Sequence, residues 1–209
     1  LNVSGSRVYD NTTVVNGSDL AITTGVGSEI ITLSGQGSVG NANVANNKSV
    51  TQNTLSLVSS SGSASNYSMG TISLNITKRP INISLEKIYD GTLDAPATGL
   101  KSNGITNTVA GQTLSLSGNG EMTTSSVGVG KTVTNIGTLS IGNGSGAAAN
   151  YTLSGGTHII EVTPRSITAS GSRSYDGTNS AQGNVFDTFT NSVGSDTVTL
   201  IGSGTINTA

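Results

Sequence analysis

A 209-residue chain with 10% charged residues and a net charge of −2 has no basic stripe with which to displace counterions from nucleic acid, and lacking cysteine it has neither thiol chemistry nor a disulfide framework. Hydrophobic residues make up 33%, aromatics 3% with no Trp, and there are 29 glycines, so any core is lean and the polarity comes from Ser, Thr, Asn and Gly. No run approaches the ~20 apolar residues that span a bilayer, so no membrane span is expected.

In chain order, apolar residues alternate with Ser and Thr at residues 29–34, 54–58 and 71–76. The same pattern returns at 112–117, at 131–134 with 138–141, and at 158–162. A period of two predicts strands buried on one face and wet on the other, and no window sustains the period near 3.6 that predicts helix. Gly-Ser-Asn clusters at 34–38, 59–63 and 142–146 predict turns and loops. The chain opens inside a strand-like pattern with no signal peptide, which reads as the interior of a longer protein.

One motif organises these elements. Arg7-Val8-Tyr9-Asp10-Asn11-Thr12, Lys87-Ile88-Tyr89-Asp90-Gly91-Thr92 and Arg173-Ser174-Tyr175-Asp176-Gly177-Thr178 align without a gap, each behind a similar strand. Leu33-Ser34-Gly35-Gln36-Gly37, Leu116-Ser117-Gly118-Asn119-Gly120 and Leu200-Ile201-Gly202-Ser203-Gly204 follow in register. Lys48-Ser49-Val50-Thr51 then matches Lys131-Thr132-Val133-Thr134, and Asn66-Tyr67 matches Asn150-Tyr151. This is a tandem repeat with expected modules at 1–80, 81–166 and 167–209, the last lacking the later motifs. The boundaries fall at Lys78-Arg79-Pro80 and Thr163-Pro164-Arg165, basic-plus-Pro joints that hold the chain extended.

Each motif residue has a structural and a functional reading. Asp10, Asp90 and Asp176 bond to nearby backbone amides, while Asn11, Gly91 and Gly177 tolerate a positive φ, which makes a tight turn. Tyr9, Tyr89 and Tyr175, like Tyr67 and Tyr151 after Asn66 and Asn150, are expected to supply core; the alternative is a surface aromatic that stacks on sugar. Asp90 with Asp94 comes nearest to a calcium pair, but no acidic loop surrounds it, and turn capping is preferred. His158 lies in a strand pattern with no nucleophile, phosphate loop or zinc spacing about it, so neither enzyme activity, cofactor nor metal is expected. Sequons such as Asn66-Tyr67-Ser68 and Asn150-Tyr151-Thr152 arise readily in such a composition. Lys48 and Lys131 are candidates for a Lys–Asn crosslink, though exposed edge-strand lysines explain them more simply.

The basic-Pro lead-in, Lys87-Ile88-Tyr89-Asp90-Gly91-Thr92, Val127-Gly128-Val129-Gly130-Lys131-Thr132-Val133 and Ala149-Asn150-Tyr151-Thr152-Leu153 together resemble the YDG-type repeats of bacterial filamentous haemagglutinin-like adhesins. The first repeat departs from that pattern at Asn11 and at residues 43–48, so its turn is expected to differ. The resemblance implies a very large exported protein, extracellular or on the bacterial cell surface, often secreted by an outer-membrane partner. In it such repeats form a stalk or fibre that spaces an adhesive region from the cell. It carries over no catalytic or ligand residues.

The expected architecture is all-β: small antiparallel sandwich-like modules in an extended array, with a parallel β-helix as the alternative. The expected partners are neighbouring repeats of the same chain. Two further functions stay open: a self-assembling biofilm-matrix filament joined by strand exchange at residues 204–209, and a module that binds host or matrix glycans.

Overall fold

The computed structural model describes residues 1–23 and 26–207. Among these the chain is all-β. The first repeat forms β1 (Asn2–Val8), β2 (Val14–Asn16), β3 (Leu20–Thr23), β4 (Ile30–Ser34), β5 (Gln36–Val39), β6 (Ala45–Thr51), β7 (Ser56–Ser61) and β8 (Ile72–Thr77). The second forms β9 (Arg79–Pro80), β10 (Asn82–Ile88), β11 (Asp94–Pro96), β12 (Leu100–Thr106), β13 (Leu114–Ser117), β14 (Asn119–Met122), β15 (Gly128–Asn135), β16 (Ser140–Asn143), β17 (Tyr151–Thr152) and β18 (His158–Thr163). β19 (Thr168–Gly171), β20 (Ser180–Gln182), β21 (Phe186–Thr190) and β22 (Ser203–Thr205) follow. The only helix among the described residues is single 3-10 turns, such as Ala64–Asn66 and Ala148–Asn150.

Two curled, half-barrel sheets repeat one topology. The first runs β2-β5-β6-β8-β1-β3 and the second β11-β14-β15-β18-β10-β12, the same order strand for strand. Beside them the pairs β4–β7 and β13–β16 also correspond. The third repeat begins the same plan: β19 pairs with β21 as β1 does with β3, and β20 with β22 as β2 does with β5.

The strands are not all antiparallel, unlike the sandwich-like modules expected from the sequence. β1 and β8 pair in parallel from Val3↔Ile72 to Val8↔Thr77, and β9 pairs in parallel with β17. The reason lies in the path of the chain. Near the entering end of β1, the Gly70 N–H donates to the Leu1 carbonyl at 3.0 Å; near the leaving end, the Tyr9 N–H donates to the Thr77 carbonyl at 2.9 Å. First and last strands of the repeat therefore run the same way, and the chain leaves the sheet at the end opposite its entry.

Residues 34–38, expected as a loop, instead hold the end of β4 and the first three residues of β5, with Gly35 between them. Gly35 (φ +86°) turns the chain sharply there, as Gly118 (φ +88°) does in the second repeat, so two short strands replace a loop. A Cβ on Gly37 would stand 2.7 Å from Leu55 Cδ1, so this glycine lets the strand lie tight on the core.

The chain divides into two compact units. One gathers Leu1–Ile83, Ser102–Gly118 and Leu139–Thr157; the other gathers Ser84–Lys101, Asn119–Thr138 and His158–Ala209. Inward residues of the alternating strands fill each: Val3, Val15, Leu74, Ile76 and Tyr151 are buried in the first, and Leu85, Ala95, Met122, Ile160 and Val162 in the second. Each large aliphatic side chain so buried contributes about 1.5–3 kcal/mol, which offsets the scarcity of aromatics. Each unit also takes in one junction between consecutive sequence repeats, and those junctions are where the repeat motifs converge.

Candidate functional site

The tyrosine turn is built identically three times. Asp10 Oδ1 accepts from the Thr12 N–H at 3.0 Å, Asp90 Oδ1 from Thr92 at 2.9 Å and Asp176 Oδ1 from Thr178 at 2.9 Å. The residue after each Asp is left-handed: Asn11 at φ 64°, Gly91 at 78° and Gly177 at 76°. The first turn therefore does not differ despite its Asn, because Asn adopts this conformation more readily than other residues with a Cβ.

A basic residue clamps each turn from below. Arg7 donates to the carbonyls of Val14 and Thr12, Lys87 Nζ to the Thr92 carbonyl at 3.0 Å, and Arg173 to the Thr178 carbonyl. Each also faces its aspartate, Lys87 Nζ lying 2.8 Å from Asp90 Oδ1. The Arg173 guanidinium holds the Asp176 carboxyl down at about 2, with help from the Thr178 amide and hydroxyl. Burial works against charge on Asp90, but Lys87 and Thr92 outweigh it and its pKa is lowered.

At the first junction the tyrosines meet. The Tyr9 and Tyr151 rings, both 2% exposed, pack edge to face with centroids 5.4 Å apart. Gln112 lies between their hydroxyls: its Nε2 donates to Tyr9 Oη at 2.9 Å, and its Oε1 accepts from Tyr151 Oη. The Val109 N–H also donates to Tyr151 Oη, at 3.2 Å. Burial of the Tyr151 ring raises its pKa. Arg79 of the hinge donates to the Asn107 carbonyl, to Asn107 Oδ1 at 3.1 Å and to the Tyr9 carbonyl at 3.4 Å. Asn107, left-handed at φ 64°, returns its amide to the Pro80 carbonyl at 2.7 Å. Asn150, 3% exposed, accepts from the Val44 N–H at 2.9 Å and donates to Asn43 Oδ1 at 3.0 Å.

The second junction repeats this arrangement with its own residues. Arg165 Nε donates to the Asn191 carbonyl at 2.9 Å and Nη1 to the Tyr89 carbonyl at 3.3 Å; Asn191, at φ 68°, returns its amide to Ser166 at 2.7 Å. Tyr89 Oη donates to Asp196 Oδ2 at 3.0 Å, and that hydrogen bond to the carboxylate raises the phenol's pKa. In the first repeat Tyr67 donates to Glu29, which raises its pKa likewise. Glu29, Gln112 and Asp196 thus hold one position in three repeats.

The tyrosines differ in burial all the same. Tyr9 and Tyr151 are core, Tyr89 and Tyr67 are half-buried, and Tyr175 is 94% exposed, so the expectation that it supplies core does not hold. No residue of a following repeat covers Tyr175 among those described, whereas Tyr9 lies against Gln112 and Tyr151. Asn66, the counterpart of buried Asn150, is exposed.

Lys48 and Lys131 are not on edge strands. β6 and β15 are interior, paired on both sides, and the two ammonium groups tie down the loops before them: Lys48 at Asn41 Oδ1 (2.7 Å) and Asn43 O (2.9 Å), Lys131 at Thr124 Oγ1 (2.7 Å). His158 is buried at the start of β18. Asp94 accepts from Asn119 at 2.9 Å, and among the described residues no three His, Asp or Glu side chains stand close enough to share a metal ion. Among them, too, no helix is long and apolar enough to cross a membrane.

Searches of curated proteins and of solved structures each found no match. The family model described as YDG domain matches residues 2–74 and again 76–158, over the two repeats whose turns and sheets coincide, and the chain belongs to the YDG domain family.

Proposed function

We propose that the chain is a structural spacer: stalk repeats of a large secreted or cell-surface bacterial adhesin of the filamentous haemagglutinin-like kind, standing an adhesive region off from the cell. In this reading modules 1–80, 81–166 and 167–209 are small sandwich-like units in an extended array, with no enzymatic activity. One observation carries it: the Arg–Asn–Tyr joint occurs at both repeat junctions with the same partners. A site that handled substrate would be built once, whereas a joint is needed wherever two repeats meet. The exit of the chain opposite its entry supports the same reading, since it lets copies follow one another without doubling back. Burial of Tyr151 leaves its ring no face for a sugar, which favours the spacer over the glycan-binding module.

Small-angle scattering tests it. A compact 80-residue unit adds on the order of 30 Å of length. A maximum dimension growing by that step for each added repeat is the expected result; one that stays that of a folded-back globule overturns the proposal.

A further inference from the structure

The compact units do not coincide with the sequence repeats. Residues 102–118 and 139–157 belong to the second repeat, yet they gather with Leu1–Ile83, whereas Ser84–Lys101, Asn119–Thr138 and the residues from His158 onward gather apart from them. Strands β13 and β16 tie the two segments to each other, from Leu114↔Asn143 to Ser117↔Ser140. The second repeat is therefore divided within itself. Its β13–β16 pair and its Asn-Tyr segment lie in one unit, and most of its six-stranded sheet lies in the other.

The two segments close the core of the first repeat. Tyr9, at the end of β1, is buried against the Tyr151 ring, and its hydroxyl accepts from Gln112 Nε2 at 2.9 Å. The Val44 N–H, just before β6, donates to Asn150 Oδ1 at 2.9 Å. Past β8, the N–H groups of Ile81 and Ile83 donate to the carbonyls of Thr152 and Thr157, each at 3.0 Å, and the Thr157 N–H returns to Asn82 Oδ1 at 2.8 Å. The Asn107 amide holds the Pro80 carbonyl at 2.7 Å. Both ends of the first sheet thus depend on side chains and carbonyls of the second repeat, and a buried donor or acceptor left without its partner is costly. An apolar core that lacked Tyr151 and Leu153, both buried here, would also open to water.

We infer that the sheet of the first repeat folds as one cooperative unit with the β13–β16 pair and the Asn-Tyr segment of the second, so that stability passes backward along the sequence. A change at Tyr151 loosens β8 and β1 of the first repeat and leaves β18 and β10 of its own repeat in place. The spacer reading asks only that repeats follow one another; this goes beyond it by stating which part of one repeat completes which part of another.

Amide hydrogen exchange of the full chain, followed by NMR, tests the inference, because amides that open together report one cooperative unit. In Tyr151→Ala, protection at Leu74 and Ile76 in β8 should fall at least about tenfold, while Ile160 and Val162 in β18 stay within about twofold of the parent. Tyr151→Phe keeps the ring and removes only the hydroxyl that Gln112 and Val109 bond, so it retains the fold should the alanine variant lose it; the same two β8 amides should lose at least about threefold. The reciprocal variant is Ile160→Val, at a buried position of β18. It should lower protection at Leu85 and Val162 at least about threefold and leave Val109 and Leu74 within about twofold. Protection lost at Ile160 and Val162 while Leu74 and Ile76 hold, equal losses at all four, or unchanged Leu74 and Ile76 in the Tyr151 variants overturns the inference. The scattering dimension per repeat is independent of these rates, so the spacer reading stands or falls separately.

Discussion

Replacing Asn150 and Asn66 separately by Ala sets the same motif position against itself. Asn150 is 3% exposed, and its amide accepts from the Val44 N–H at 2.9 Å and donates to Asn43 Oδ1 at 3.0 Å. Truncation removes two hydrogen bonds, each worth about 0.5–1.5 kcal/mol net, and leaves the half-buried Val44 amide to find water. The expected loss is about 1–3 kcal/mol. Asn66→Ala removes an exposed side chain and should stay within about 0.5 kcal/mol of the parent. Urea unfolding gives both values, and because two compact units need not unfold together, hydrogen exchange should be followed at Val44 and Ile76. Equal costs for the two substitutions, or an unchanged Val44 exchange rate in Asn150→Ala, would refute the view that this residue locks one repeat to the next.

Three other outcomes follow from the same geometry. A double-mutant cycle on Tyr9→Ala and Tyr151→Ala should show a coupling of about 0.5–1.5 kcal/mol from the edge-to-face pair; additivity within about 0.3 kcal/mol speaks against it. Gly91→Ala should destabilise by more than about 1 kcal/mol in thermal unfolding, since φ is +78° and the new Cβ would stand 2.8 Å from Val193 Cγ1, whereas Asn11→Gly should be nearly neutral. Asp176 has a folded pKa of about 2 against an ordinary 3.8, so its stabilising contribution is complete above about pH 4 and is lost as pH falls toward 2. Carboxyl-carbon NMR titration checks this, and a midpoint at or above 3.8 contradicts it.

Strand content and the repeat were legible because the period of two and the recurring Tyr-Asp turn are local signals. β10, β8 and β18 all lie on or next to stretches with clean alternation. What escaped was short or glycine-rich: β5, which starts inside the glycine cluster at 34–38, and its counterpart β14 carry too few apolar residues to show a period, and their strand character comes from pairing with β2 and β11. The parallel pairing of β1 with β8 was hidden for another reason, since alternation reports which face is buried and not which neighbour a strand takes. At the joint, Tyr9 and Tyr151 stood out as scarce aromatics, but Arg79, Asn107 and Gln112 did not. Their signal was present in the repeat: Thr106-Asn107-Thr108-Val109 recurs as Thr190-Asn191-Ser192-Val193, and Arg79 recurs at Arg165. Polar residues in a polar chain draw notice only when the fold shows which carbonyls they serve.

The like-directed pairing of β1 and β8 has a mechanical sequel. Tension that enters at Leu1 and leaves at Thr77 drags these neighbours lengthwise past each other, so the cross-links between Val3↔Ile72 and Val8↔Thr77 are strained together. A hairpin pulled by its two ends would instead peel open rung by rung. Under an end-to-end pull, that difference in loading direction decides whether a module yields gradually or holds until it gives way all at once.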